Sequence, residues 1–440
     1  MKHINFISSP VQNLRGEIEV PGDKSISHRS IILGSIAKGP TIVNGFLEGE
    51  DCLATLKAFE AMGVTIEKPA PQQLVIHGVG KYGLQQPEQA IDCGNSGTSM
   101  RLLAGLLAAQ DFSSELTGDQ SLLKRPMERV SRPLTQMGAE IATHEGKPPL
   151  TIRGKKSLTG IIYQMPIASA QVKSCLLLAG MYAKGETIVI EPGVTRDHTE
   201  RMLTAFSYPL QKSEDQVAIS SEGECIGTDI NVPGDISSAA FFIVAATIIP
   251  NSDIIIRNVG INPTRVGIVQ ILNQMGAKIN LANKRIYGEE VVADLHVQYS
   301  PLEGIDIPAT LVPLAIDEFP AIFIAAACAK GQTRLHGASE LRTKESDRIS
   351  AMADGLRILG VETQVFADGI YINGGNKLQG GVVDSRGDHR IAMAFSIAGA
   401  LTETPVTIKN CANVATSFPT FVKTANDLSM AIEEVGNEIE

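Results

Sequence analysis

One pattern recurs six times along this 440-residue chain and limits what it can fold into. Each copy opens on a short polar motif rich in Gly, Ser and Asp, runs into an apolar helix-like segment, and continues into a β-like run. The openings begin at Gly22, Cys93, Ala168, Gly234, Ile316 and Gly387; the markers Gly22, Gly94, Ala168, Gly234, Asp317 and Asp388 lie 66 to 83 residues apart. Regular self-similarity at such a period is the mark of a repeated supersecondary unit. The segments SIILGSIA, MRLLAGLLA, VKSCLLLAGMYA and AAFFIVAATI are apolar nearly all round, which predicts helices buried in a core. A second echo follows. Met62-Gly63-Val64, Met137-Gly138-Ala139, Met275-Gly276-Ala277 and Leu359-Gly360-Val361 each close an amphipathic helix with a Gly suited to the left-handed C′ position. Each repeat therefore reads as β-α-β-α-β-β. Six of them, in a chain too long for one ordinary core, predict an α/β protein of two domains with three repeats each.

Composition narrows the function. The net charge of −10 argues against a nucleic-acid or anionic-membrane partner, so any anion site must come from local clusters of Lys and Arg. Residues 1–20 alternate apolar and polar, without the continuous apolar stretch of a signal peptide, and no run is long enough to span a bilayer. A cytoplasmic location is the expectation. Six cysteines without a C-x-x-C pair are expected to be buried free thiols. Eight histidines without H-x-H or H-x-x-x-H spacing make a metal site an unfavoured reading. Walker A, G-x-S-x-G and strand-linked G-x-G-x-x-G sequences are missing too, so no nucleotide-type cofactor is expected.

Polar motifs at the starts of buried helices suggest anion binding, because a helix N-terminus carries unsatisfied N–H groups and a partial positive charge. Several carry cations beyond what capping needs: Lys24 and Arg29; Lys124, Arg125 and Arg129, with Pro126 as a helix initiator; Arg196; Arg342, Lys344 and Arg348; and Arg390. Taken singly, each cluster reads as a capped helix with solvated charges. Recurrence at one repeat position favours a shared function, and three helix starts converging in each domain would make two cationic faces meeting at an interdomain cleft. Two acids stand out. Asp317 follows an apolar stretch and is consistent with either an N-cap or a general base; Glu345 is consistent with a surface ion pair or a general acid.

Together the motifs PGDKSISHR (21–29), GNSGTSMR (94–101), KRPM (124–127), ASAQVKS (168–174), TRDHTERML (195–203), DEFP (317–320), RTKESDRI (342–349) and GDHRIAMAF (387–395) resemble the 5-enolpyruvylshikimate-3-phosphate synthases. These are the 3-phosphoshikimate 1-carboxyvinyltransferases of aromatic amino-acid biosynthesis, and the resemblance runs over residues 20–420. It implies the two-domain inside-out α/β barrel of the enolpyruvyl transferases. One domain comprises residues 21–234, mainly on the shikimate 3-phosphate side. The other comprises 1–20 with 235–440, on the phosphoenolpyruvate side and carrying the catalytic acids. It also implies a metal-free, cofactor-free addition–elimination, and a monomer acting on two small molecules.

By the same resemblance, Lys24 touches both substrates. Ser25, Arg29, Ser169, Gln171, Arg196, Asp317 and Lys344 hold shikimate 3-phosphate. Lys24, Gly97, Arg125, Gln171, Arg348 and Arg390 hold phosphoenolpyruvate, with Gly97 leaving room for it. Asp317 takes the 5-hydroxyl proton, and Glu345 handles proton transfer at the methylene carbon. Thr416 stands where some members carry a Lys, and is given no binding role. The sister carboxyvinyltransferases acting on UDP-N-acetylglucosamine typically carry a reactive cysteine in a loop that here reads GDQSLLKRPMERV, without Cys. An inert anion-binding protein on the same repeat is the other alternative, and intact Lys24, Asp317, Glu345 and Arg390 count against it.

Overall fold

The computed structural model describes residues 3–154 and 157–437. The outermost residues of the expected 1–20 and 235–440 domain thus lie outside the described residues. The chain divides into two compact units: Gly22–Val232 with Tyr287–Glu290, and Met1–Pro21 with Pro233–Ile286 and Val291–Glu440. They are called here the 22–232 unit and the 233–440 unit.

The repeat is plainest in the middle of the 22–232 unit. Strand Ile91–Asp92 leads to helix Gly97–Leu107, strand Ser114–Thr117, helix Glu128–Gln136, and the hairpin Glu140–His144 with Lys147–Arg153. The first two strands pair in parallel, and the hairpin adds antiparallel strands beside them. The same four-stranded order, one parallel pair then two antiparallel pairs, recurs in the sheet of Ile162–Gln164, Thr187–Ile190, Gln216–Ile219 and Gln211–Lys212. In the remaining sheet the parallel partner of Lys38–Asn44 is Asp229–Asn231, from the far end of the unit. The last strand of the unit thus completes its first sheet.

The 233–440 unit repeats this plan with two four-stranded sheets and one of three strands, Gly331–Leu335, Gly369–Gly374 and Glu362–Phe366. Where the fourth strand of that sheet would run, two parallel bridges remain, Glu303 to Lys330 and Asp306 to Arg334. Several strands keep one face to solvent; Lys147–Arg153 alternates exposed and buried at every residue. That is the expected pattern for antiparallel strands packed on one side only. The enclosed space is filled by helices Lys24–Ser35, Gly97–Leu107 and Ala170–Gly180 in one unit, and by Ile236–Ile248, Phe319–Cys328 and His389–Ala398 in the other. Every residue of Ile236–Ile248 is buried, as its unbroken apolar sequence requires. Helices inside and sheets outside is the inside-out arrangement the resemblance implied, and the two apolar cores belong one to each unit.

The outer helices end alike. Gly63, Gly138, Gly276 and Gly360 take positive φ at C′, as their motifs predicted. The two remaining repeats put Ser207 (φ 61) and Ser429 (φ 70) in the same place. Pro126 is not a helix initiator: the following helix begins at Glu128, and a short 3-10 turn, Leu122–Lys124, precedes the proline. All six cysteines are free, five of them buried. No helix among the described residues is long and apolar enough to cross a membrane.

Candidate active site

In the 22–232 unit the three inner helices begin on capped ends. The side chains of Asp23, Ser96 and Ser169 accept from the backbone N–H groups of Ile26, Ser99 and Val172. Hydroxyl and amide groups then tie the three starts together. Ser99 and His28 both reach Thr55, which joins the helices Lys24–Ser35, Glu50–Ala61 and Gly97–Leu107. Gln171 donates to Thr98 Oγ1 at 3.0 Å and accepts from Arg101. Arg29 donates from Nε to Thr199 Oγ1 (2.7 Å), from Nη2 to Ser174 Oγ (2.8 Å) and from Nη1 to the Ser25 carbonyl (2.9 Å).

Six of the expected residues of this unit therefore lie at or near the starts of its inner helices, while Arg125 and Arg196 lie outside them. Lys24, Ser25 and Arg29 lie on one inner helix, Gly97 on the second, and Ser169 and Gln171 at the start of the third. Lys24 Nζ pairs with Asp51 Oδ2 at 3.0 Å. Arg125 donates to Asn95 Oδ1 at 2.8 Å, and a Cβ built on Gly97 would stand 3.2 Å from the Arg125 guanidinium and 2.9 Å from that of Arg101. Gly97 thus keeps the space in front of two arginines open. Arg196 lies in the loop before helix His198–Ala205, its side chain partly exposed.

The 233–440 unit is organised differently, around one guanidinium. Arg348 is fully buried, and each of its nitrogens donates to a carboxylate. Nε reaches Asp388 Oδ2 (2.9 Å), Nη1 reaches Asp317 Oδ1 (3.3 Å), and Nη2 reaches Glu345 Oε2 (2.6 Å). Lys344 Nζ adds a second cation 3.3 Å from Asp317 Oδ1, and Ser346 donates to Asp388 Oδ2. Burial alone would lower the Arg348 pKa, but the three carboxylates outweigh it and hold the group charged, well above its ordinary value. Asp388 also caps helix His389–Ala398 by accepting from the Arg390 N–H, which places Arg390 beside the cluster.

The geometry removes the simpler of the two readings of each acid. Asp317 is not the N-cap residue: Glu318 holds that position, and helix Phe319–Cys328 starts after it. Glu345 is not in a surface pair, because its partner Arg348 is buried. Asp317 and Glu345 accept from one guanidinium, so two carboxyl groups are placed side by side by a shared partner.

Some participants were not singled out from sequence. Asp51 has no motif of its own. Arg101 lies inside GNSGTSMR, one helical turn after Gly97, and that spacing was the signal available. Arg265 donates to Asp235 Oδ1 (3.0 Å) and Ser237 Oγ (2.7 Å), and Ser237 donates to the buried Glu318, linking two inner-helix starts. Among the described residues no group of three His, Cys, Asp or Glu is placed to hold a metal ion. Cys93 is buried, and desolvation, with Asp92 and Asp51 nearby, pushes its thiol far above the ordinary range, which removes it as a nucleophile.

Comparison with known proteins gives one answer. The family model described as EPSP synthase (3-phosphoshikimate 1-carboxyvinyltransferase) matches residues 8–425. A 3-phosphoshikimate 1-carboxyvinyltransferase of Legionella pneumophila is 69% identical over 98% of this chain and 99% of its own length. One from Methylococcus capsulatus is 59% identical over 98% and 99%. The structure of an EPSP synthase from Acinetobacter baumannii superposes with a TM-score of 0.88, at 54% identity, over 98% of this chain and all of that one. The enolpyruvyl transferase NikO from Streptomyces tendae shares the fold, with a TM-score of 0.81 at 15% identity over the whole of both chains.

Proposed function

The chain belongs to the EPSP synthase (3-phosphoshikimate 1-carboxyvinyltransferase) family, and from that membership we propose how its own residues carry the reaction. The enzyme transfers the carboxyvinyl group of phosphoenolpyruvate to the 5-hydroxyl of shikimate 3-phosphate, releasing phosphate through a tetrahedral intermediate. Lys24, Ser25, Arg29, Ser169, Gln171, Arg196 and Lys344 bind shikimate 3-phosphate. Lys24, Gly97, Arg125, Gln171, Arg348 and Arg390 serve phosphoenolpyruvate. Several cations are assigned because two polyanions repel one another and that repulsion must be offset.

Asp317 accepts the 5-hydroxyl proton as that oxygen bonds to C2 of phosphoenolpyruvate, and Glu345 delivers a proton to the methylene carbon. In the second step Glu345 takes a proton back from the new methyl group, the double bond reforms, and the C–O bond to phosphate breaks, the phosphate leaving with the proton that Asp317 had accepted. The observation that carries this assignment is the shared Arg348 guanidinium, which sets the two carboxyl groups next to each other as acid and base on neighbouring atoms. Arg348 also contributes its charge on the phosphoenolpyruvate side. The same reading has the chain act in the cytoplasm as a monomer, without a resident metal or organic cofactor.

Phosphate release tests the assignment. We expect release with phosphoenolpyruvate plus shikimate 3-phosphate, and none when UDP-N-acetylglucosamine replaces the latter. Release only with the sugar nucleotide would overturn it, and release with neither would favour an inert anion-binding protein.

A further inference from the structure

The motif ASAQVKS contains a lysine for which the reaction gives no use. Lys173 is the fourth residue of helix Ala170–Gly180, near the positive end, where the helix dipole disfavours a cation. Its side chain is 1% exposed. A buried ammonium is costly unless it is paired. Lys173 Nζ lies 3.0 Å and 3.1 Å from the two carboxylate oxygens of Glu191 and 2.6 Å from Glu200 Oε1.

Those two glutamates stand at the two ends of one segment. Glu191 follows strand Thr187–Ile190, and Glu200 lies in the first turn of helix His198–Ala205. Between them residues 192–194 are exposed and belong to no helix or strand, and Arg196 follows. Further bonds fasten the same two ends. Thr195 donates to Glu191, and Thr199 meets Ser174, the neighbour of Lys173, at 2.6 Å while accepting from Arg29. One lysine on the helix that begins with Ser169 and Gln171 therefore holds both ends of the loop that carries Arg196.

We infer that Lys173 is a positioning residue for shikimate 3-phosphate: it clamps residues 191–200 so that Arg196 faces the phosphate ester, and it neutralises two nearly buried carboxylates that would otherwise repel that dianion. The inference rests on the assignment of Arg196, Ser169 and Gln171 to shikimate 3-phosphate. It adds a residue that touches neither substrate.

The test is steady-state kinetics on four variants of the full-length enzyme. Lys173→Met is expected to raise KM for shikimate 3-phosphate by ~10-fold or more, the worth of one charge-assisted hydrogen bond, while kcat and KM for phosphoenolpyruvate move less than ~3-fold. Lys173→Arg, which keeps the charge, restores KM to within ~3-fold of the parent. Glu191→Gln releases one end of the loop without burying an unpaired lysine, since Glu200 remains; it raises the same KM by ~3-fold and decides the matter if Lys173→Met does not fold. Unchanged KM for shikimate 3-phosphate in the folded variants, or equal losses for both substrates, overturns the inference. Arg196→Ala separates the two levels. If it raises KM for shikimate 3-phosphate while the Lys173 and Glu191 variants do not, only the clamp fails. If Arg196→Ala itself leaves that KM unchanged, the assignment of the loop to this substrate fails, and the clamp with it.

Discussion

The helix starts of the 22–232 unit and those of the 233–440 unit use arginine in opposite ways. In the first, Arg29 donates to two hydroxyls and a carbonyl, Arg101 to an amide and a carbonyl, and Arg125 to an amide and a hydroxyl. Neutral acceptors such as these fix a guanidinium without themselves cancelling its charge. In the second, Arg348 sits among three carboxylates. There the arginine is surrounded by charged acceptors, which it places together. The contrast is one of acceptors: neutral groups in the described bonds of the first set, carboxylates around Arg348 in the second.

The sharpest way to break that contrast is Asp317→Ala. If the 233–440 cluster exists for proton transfer, kcat falls ~10²–10⁴-fold, the usual contribution of a general base. Binding of shikimate 3-phosphate, followed by calorimetry, stays largely intact. Near-normal turnover would leave the cluster a structural knot and nothing more.

Next in size is a stability comparison. Arg348→Met strands Asp388, which is fully buried, beside Asp317 and Glu345, and breaking such a pair costs ~3–5 kcal/mol. Arg29→Met strands neutral acceptors only in the bonds described above, and its cost is nearer ~1–3 kcal/mol. Urea unfolding of both variants measures the gap. Equal costs would mean that the acceptors around the two arginines do not differ in the way proposed.

A smaller effect appears with pH, and it belongs to the 22–232 unit. His28 is buried at the junction of Thr55, Ser96 and Ser99; desolvation first, then the charges of Lys24 and Arg29, hold its imidazole well below the ordinary range. It is neutral in the folded chain. Below about pH 6.5 the unfolded chain takes up a proton that the folded chain refuses, so stability falls as pH drops, by at most about 1.4 kcal/mol per unit, until the folded value is reached. In His28→Asn the slope of stability between about pH 6.5 and 5 becomes shallower by up to that amount. An unchanged slope would show that His28 is not a source of the acid sensitivity.

Legibility from sequence followed the same division. Helix starts, buried helices and four of the six left-handed caps were readable, because each depends on local pattern. Asp317, Glu345 and Arg390 were also singled out from local pattern. That Arg348 faces Asp317, Glu345 and Asp388 was not legible, since the partners come from three separate segments joined only by the fold. Lys173 was quoted in a motif, yet its two glutamates lie 18 and 27 positions on and no spacing rule links them. The sheet that keeps three strands, with bridges at Glu303 and Asp306, shows a repeat eroded where sequence similarity still suggested four.

The smallest prediction concerns what the two units share. In each, the third outer helix ends on Ser instead of Gly, at Ser207 and Ser429, with φ of 61° and 70°. A left-handed backbone costs an L-residue roughly 1–2 kcal/mol, because its Cβ crowds the following carbonyl. Glycine avoids that cost but gives up about 0.5–1 kcal/mol of unfolded-chain entropy. Ser207→Gly and Ser429→Gly should therefore each stabilise the chain by ~0.5–1 kcal/mol, additively, since they lie in different units. Thermal midpoints of the single and double variants measure this with kcat unchanged. A stabilising change at one site and a destabilising one at the other would show that the two caps, alike in backbone, are held by different surroundings, and the equivalence of the units would then stop at the helix ends.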